Sequence, residues 1–181
     1  MEATGRAPLE LHLNDLRQLF NSLDPAPFRE RDLDPAAEAY IVEWAREVPR
    51  GRSPALVVHL AQPPAGDGEA LLGDAVHTYF RERAQAERSR LRQLLRTGRV
   101  SLVIGLAFLA GAIALGEFIA SFVAKESWAY IVKETFVIGG WVALWRPLEI
   151  FLYDWWPIRA EAAMYDRLAA MPVSVTGGPA S

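Results

Sequence analysis

Residues Val100 to Gly116 read VSLVIGLAFLAGAIALG and contain no charged side chain. After Glu117 the apolar run continues as FIASFV to Val123, so that a single carboxylate interrupts it. About 20 apolar residues cross the ~30 Å hydrocarbon layer of a bilayer as an α-helix. A surface helix of a soluble protein has a polar face, which this stretch lacks. The stretch therefore predicts a first transmembrane helix, Val100 to Val123.

A second, less apolar stretch follows, and aromatic side chains mark its ends. Its uncharged part, Thr135 to Trp145, is too short to cross a bilayer alone. Tryptophan and tyrosine are enriched at membrane interfaces. Here they flank the stretch on both sides: Trp128, Tyr130, Tyr153, Trp155 and Trp156. We predict a second span, Trp128 to Tyr153. An alternative ends the span near Trp145 and lays Pro147 to Tyr165 on the inner surface as an amphipathic helix.

The distribution of positive charge predicts the orientation of both spans. Seven arginines lie between Arg81 and Arg99, before the first span, and three arginines end or follow the second. The connecting tip, Lys125-Glu126-Ser127, holds one lysine. Because cytoplasmic loops are enriched in Lys and Arg, we expect both termini in the cytoplasm. The first thirty residues carry no apolar signal segment, so the spans themselves are expected to target the chain to the membrane.

The few charges within the spans form a first candidate site. If the spans fold back as a tight hairpin, Glu117 falls opposite Glu134 and beside Lys133, near the outer interface. Charges inside a membrane are costly and often serve as proton or ion relays. The alternative interpretation is structural: Lys133 bridges the two carboxylates and fixes the register of the hairpin.

Small residues in the two spans predict where the helices approach each other. In the same register, glycine and alanine fall opposite glycine, and missing side chains let two backbones come close. The predicted helix-packing residues are Gly111, Ala112, Gly116, Gly139 and Gly140.

A second charged cluster lies at the inner end of the second span. Arg146 and Glu149 are spaced i,i+3 for an ion pair on a helix, and Asp154 follows. Arginine holds a phosphate with its two-pronged guanidinium group, so the cluster suits a lipid headgroup or a partner. The structural alternative is an interfacial ion pair beside aromatic anchors.

The N-terminal part predicts a small α+β domain over residues 1–68. Alternating Leu9, Leu11 and Leu13 indicate a strand, and the apolar run Ala55 to Leu60 indicates another. Asp34 and Pro35 mark a helix start. The predicted order is β-α-α-β-α, and the last helix, over the Arg-rich residues 69–99, continues into the hairpin at residues 100–153. Residues 154–181 are expected to form a cytoplasmic helix and tail. Two strands alone are marginal, so the sheet is covered by helices, extended by further strands or completed by another copy.

Composition excludes several classes of site. The chain has no cysteine, which rules out disulfides, thiolate metal sites and a cysteine nucleophile. His12 and His59 occupy polar positions of the predicted strands and would meet if the strands are neighbours. Without cysteine or a close-spaced carboxylate pattern we expect no metal and no cofactor. The arginines at 81–99 directly precede a span and therefore indicate lipid contact and topology setting rather than nucleic-acid binding.

Two blocks of the sequence carry a resemblance. The segments NDLRQLFNSLDPAPFRERDLDPAAEAYIVEWARE, Asn14 to Glu47, and GGWVALWRPLEIFLYDWWP, Gly139 to Pro157, resemble an uncharacterised family of bacterial two-span membrane proteins. The resemblance implies an inner-membrane location. It implies no activity, ligand or catalytic residue.

The sequence favours a non-catalytic role. It contains no Gly-rich phosphate loop, nucleophile elbow or metalloprotease helix, so no catalytic residue is predicted. The leading interpretation is an oligomeric inner-membrane scaffold or regulatory subunit whose cytoplasmic domain binds a partner. One alternative is a small oligomeric channel or transporter with Glu117 and Glu134 on its pathway. Another is a lipid-headgroup-binding protein or enzyme at the inner leaflet. The expected partners are membrane lipids and either further copies of the chain or a membrane complex.

Overall fold

The chain is mainly helical with a small strand region, as predicted. The structure is a computed structural model that describes residues 5–27, 31–49, 51–61, 68–122 and 126–177. The chain divides into two compact units: Met1–Glu87 together with Ala160–Ser181 (unit 1), and Arg88–Arg159 (unit 2). Val123 and Lys125, at the predicted end of the first span and in the predicted tip, lie outside the described residues, as does the end of the predicted tail, residues 178–181.

Unit 1 contains a three-stranded parallel sheet with the strand order β1-β2-β3. The strands are β1 (Arg6–Leu13), β2 (Ser53–Leu60) and β3 (Val173–Gly177). The third strand lies within the segment that the sequence predicted as a helix and tail. A two-stranded sheet was expected to need covering helices, further strands or another copy of the chain. The structure has a third strand together with covering helices.

Among the described residues, the connection between β1 and β2 contains one α-helix and one 3₁₀ turn, whereas the predicted order has two helices. In place of the first of these two helices, the structure has a single 3₁₀ turn, Leu16–Leu19. The Asp15 side chain accepts a hydrogen bond from the backbone of Arg17, and such local bonds compete with a longer helix. Helix α1 (Pro35–Glu47) begins at the predicted cap, where the Asp34 carboxylate accepts hydrogen bonds from two backbone N–H groups.

The hydrophobic core of unit 1 covers one face of the sheet. Alternate residues of the central strand point into it, as the period of two along a strand requires. The strands, α1, the start of α2 and the C-terminal segment all contribute side chains to this core. They include Leu9, Leu56, Val58, Ile41, Leu72, Val76, Phe80, Tyr165, Leu168 and Met171. On the opposite face of the sheet Glu10 and His12 are exposed.

Unit 2 consists of helical segments only, within the described residues. Helix α2 (Gly68–Phe122) is one uninterrupted helix of 55 residues that begins in unit 1 and ends in unit 2. Helix α3 (Glu126–Glu149) is followed by a π-helical turn, Ile150–Asp154, and by α4 (Trp155–Ala169). The stretches Gly68–Phe122 and Tyr130–Ala169 each contain a segment long and apolar enough to cross a membrane.

Within unit 2, residues of α2 contact α3 and the π-helical turn at positions that run in opposite directions along the chain. Gly105 lies against Leu144, and Gly140 lies against Leu109. Nearer the two ends, Gly98 meets Ile150 and Gly116 meets Phe136. Each contact uses a glycine on one side, which brings the backbones close.

Candidate functional sites

The cluster predicted at Arg146 is assembled by an irregular stretch of helix. Pro147 lacks a backbone N–H and lies inside α3. The π-helical turn that follows contains one more residue than an α-helical turn. In a regular α-helix Asp154, eight residues beyond Arg146, would lie about 80° around the axis, whereas the extra residue reduces this offset to about 20°. The turn therefore brings Asp154 onto the side of the helix that carries Arg146.

The structure brings all three predicted residues of this cluster together. The Arg146 Nη1 atom donates to Glu149 Oε2 at 2.8 Å and lies 3.3 Å from Asp154 Oδ2. The Arg146 side chain is 61% exposed. Ion pairs this accessible contribute only about 0–1 kcal/mol in water, so a stronger ligand can displace them. The guanidinium group is thus held in position by weak ion pairs that a ligand can replace.

A cleft of about 510 Å³ opens beside Arg146, entirely within unit 2. We name it the arginine cleft. Arg90, Gln93, Thr97 and Ser101 project into it from α2, and Tyr153 from the π-helical turn. Its apolar walls are Leu94, Ile150, Pro157 and Ile158. Sequence reasoning identified Arg146 and Asp154 but missed the α2 residues, whose spacing of three to four residues places them on one helix face.

The predicted intramembrane cluster is only partly assembled. Lys133 Nζ donates to Glu117 Oε1 at 3.1 Å, and both side chains are about half exposed. Glu134 is exposed and forms no ion pair with any other residue of the described ranges. The structure thus contains a pair between α2 and α3 rather than a lysine bridging two carboxylates.

The five predicted helix-packing residues divide into two groups. Gly116, Gly140 and Ala112 are buried. A side chain added at Gly111 or Gly139 would meet nothing within 4 Å. Two glycines that were not among the predicted helix-packing residues also make close contacts: Gly98 and Gly105.

Unit 1 holds a second cleft, of about 370 Å³, beside the start of α1. There Arg83 donates to the Glu38 carboxylate and to the Tyr79 hydroxyl, and it stacks 5.5 Å from the centre of the tyrosine ring. Burial, assisted by the hydrogen bond to Glu38, raises the pKa of Tyr79 above its ordinary value. The phenol therefore stays protonated at physiological pH, and the trio ties α1 to α2.

The two strand histidines meet on the open face of the sheet. The rings of His12 and His59 stack with their centres 4.5 Å apart, and Glu10 Oε2 lies 3.7 Å from His59 Nε2. The sequence pattern indicated the two histidines but not Glu10. Its position two residues before His12 on a strand was the available signal, because residues i and i+2 share a face.

Comparison of the chain with known protein families, with curated proteins and with solved structures found no match.

Proposed function

We propose that this chain is a two-span protein of the bacterial inner membrane that acts as a non-catalytic, oligomeric scaffold or regulatory subunit. One observation carries the membrane assignment. In the most apolar windows of the two candidate spans, only 17% and 22% of the residues are buried. The core helix of a soluble protein is mostly buried, whereas a membrane helix exposes apolar side chains to lipid. The large side chains exposed here include Ile104, Phe108, Phe118, Trp141, Val142 and Trp145.

The glycine contacts within unit 2 support an antiparallel hairpin as the arrangement in the bilayer. In that arrangement the tip between α2 and α3 faces the periplasm and both termini lie in the cytoplasm. Seven arginines before the first span and three in or after the second support this orientation. The pair Lys133–Glu117 joins the two helices near the tip, where both long side chains reach the outer interface.

The uninterrupted helix α2 supports the role of a scaffold or regulatory subunit. It belongs to the folded core of unit 1 through Leu72, Val76 and Phe80, and it continues without a break into the first span. The same helix thus supplies side chains to the core of unit 1 and residues to the first span, so a partner bound to unit 1 would be tethered directly to the membrane helix. Gly111 leaves open space on the surface of unit 2, where a helix of a second copy would approach closely.

The absence of native cysteine allows a clean topology experiment with single introduced cysteines. Ser127→Cys places a thiol at the tip, and Ala86→Cys places one before the first span. In intact spheroplasts a membrane-impermeant maleimide should label S127C and not A86C, whereas both should react after lysis. Alkaline carbonate should leave the protein in the membrane pellet. Labelling of A86C in intact spheroplasts, or release by carbonate, would overturn the proposed topology. The oligomeric role would be overturned if the protein has the mass of a monomer in mild detergent and if crosslinking in membranes yields no oligomer.

The arginine cleft favours one additional function, binding of a lipid headgroup. Arg146 and Arg90 suit a phosphodiester, and the carboxylates of Glu149 and Asp154 suit a primary ammonium group. A zwitterionic headgroup with both charges would replace the internal ion pairs of Arg146 without leaving a charge unpaired. The walls contributed by Leu94 and Ile150 suit the first methylenes of the acyl chains.

Binding of short-chain phosphatidylethanolamine to the detergent-solubilised protein tests this second function. Arg146→Gln should weaken binding about tenfold or more, because a charge-assisted hydrogen bond contributes roughly 1.5–3 kcal/mol. Arg17→Gln, a change of the same kind at an exposed arginine of unit 1, should leave binding unchanged. Short-chain phosphatidylcholine, whose quaternary ammonium cannot donate hydrogen bonds, should bind more weakly. Equal affinities of the wild type and R146Q would exclude the cleft as the headgroup site.

A further inference from the structure

The parallel pairing of the strands aligns four polar residues on one face of the sheet. His12 is the register partner of His59, and His59 is the register partner of Thr176. Glu10 lies two residues before His12 and therefore on the same face. The other face of the sheet supports the hydrophobic core. A carboxylate, two imidazoles and a hydroxyl thus converge on the side that Glu10 and His12 leave open to solvent.

The distances between the ligand atoms fit a shared cation. One carboxylate oxygen of Glu10 and one ring nitrogen each of His12 and His59 all lie within 4.8 Å of one another. His59 Nε2 and Glu10 Oε2 are 3.7 Å apart, which is too long for a hydrogen bond. Two ligands at about 2.1 Å from a tetrahedral zinc ion lie roughly 3.4 Å apart. Because the two imidazole rings are stacked with an interplanar angle of 13°, the exposed ring of His12 must rotate for its nitrogen to point at the same ion as Nε2 of His59.

The environment of His59 favours a cation beside its Nε2 atom. Its Nε2 atom is buried and accepts or donates no hydrogen bond, and an unsatisfied buried polar atom costs about 1–3 kcal/mol. Its Nδ1 atom lies 2.8 Å from the hydroxyl of Thr176. When Nδ1–H donates to that hydroxyl, the lone pair of Nε2 faces the carboxylate of Glu10. Two electron-rich atoms then point at the same space, which a cation stabilises.

We propose that Glu10, His12 and His59 bind a divalent ion of the zinc class, with Thr176 positioning the ring of His59. Imidazole and carboxylate together suit Zn²⁺, whereas Mg²⁺ and Ca²⁺ prefer oxygen ligands alone. A hydrogen bond to the second ring nitrogen of a ligating histidine fixes its tautomer and orientation. Three protein ligands leave a fourth position for water or for a ligand from a partner. The ion joins β1 to β2 and so stabilises unit 1.

Zinc titration of the full-length protein tests the proposal. Tag-free protein in mild detergent is treated with a chelator, exchanged into chelator-free buffer and titrated by calorimetry. One Zn²⁺ should bind per chain and raise the melting temperature. His12→Ala and His59→Ala should each lower affinity at least 100-fold. Thr176→Val should lower it about 10–100-fold, the range for loss of such an outer hydrogen bond. His77→Gln changes the remaining histidine, whose Nε2 lies 2.7 Å from the carbonyl of Met171, and should keep the affinity.

Two further measurements separate metal binding from folding. Circular dichroism of each chelated variant should match that of the chelated wild type, which shows that the loss of affinity is not a loss of fold. Co²⁺ should give visible absorption bands of a four-coordinate site, and these should be absent in H59A. Absence of zinc binding to the wild type, or unchanged affinity in folded H12A and H59A, would overturn the proposal. The titration needs no bilayer, so its outcome is independent of the proposed topology.

Discussion

Gly140 and Gly139 are adjacent glycines in α3 that allow a matched test of how the spans pack. A Cβ added at Gly140 would lie 2.3 Å from Leu109 Cδ1 and 3.1 Å from Leu109 Cα. The Cδ1 atom can move by a change of rotamer, but the Cα atom can move only if the helices separate. Overpacking of this kind destabilises by about 1–3 kcal/mol. A Cβ at Gly139 would meet nothing within 4 Å. Gly139→Ala should therefore gain up to about 1 kcal/mol from helix propensity.

The experiment compares Gly140→Ala and Gly139→Ala by reversible unfolding in mixed micelles, where increasing SDS competes with helix packing. The signal is fluorescence of the six tryptophans, with circular dichroism to show that the helices persist. G140A should unfold at a lower SDS fraction than the wild type, and G139A at the same or a higher fraction. The expected difference in unfolding free energy between the two variants is about 1–3 kcal/mol. Equal midpoints for both variants would refute the proposed contact between α3 and Leu109.

Two other predictions concern charged groups. Lys133→Ala should destabilise the protein by roughly 1 kcal/mol in the same unfolding assay, because Glu117 loses its partner, and adding Glu117→Gln should restore most of the loss. A double variant no more stable than K133A would contradict the pairing. Two backbone N–H groups donate to the Asp24 carboxylate and lower its pKa below the ordinary value of 3.8. The contribution of Asp24 to stability is therefore complete above pH 3.8 and is lost as the pH falls through the lowered pKa. The melting temperature of the wild type should exceed that of Asp24→Asn at pH 6 but not at pH 2.

The sequence was sufficient to predict the elements that depend on local chemistry. The start of α1 follows from the carboxylate of Asp34 and the fixed backbone angle of Pro35, and the apolar composition predicts the two candidate spans. Strand β3 is different, because it has only five residues, VSVTG, and pairs with a strand more than a hundred positions earlier in the chain. Five residues offer too short a pattern to distinguish a strand from a tail. Its position depends on tertiary pairing, which local periodicity does not contain.

The candidate sites show the same division between local and nonlocal information. Arg146 and Glu149 are spaced for a local ion pair, so the sequence indicates their contact. The contact with Asp154 depends on the π-helical turn, which no single residue type specifies and which disturbs the regular spacing. Likewise, Glu10 and His12 share a face by strand periodicity, but their meeting with His59 depends on the parallel register. A one-residue slip in that register would move His59 to the core face and replace it with an apolar neighbour. The proposed metal site therefore requires this one pairing of β1 with β2, and zinc binding would report on the strand register as directly as on the ligands.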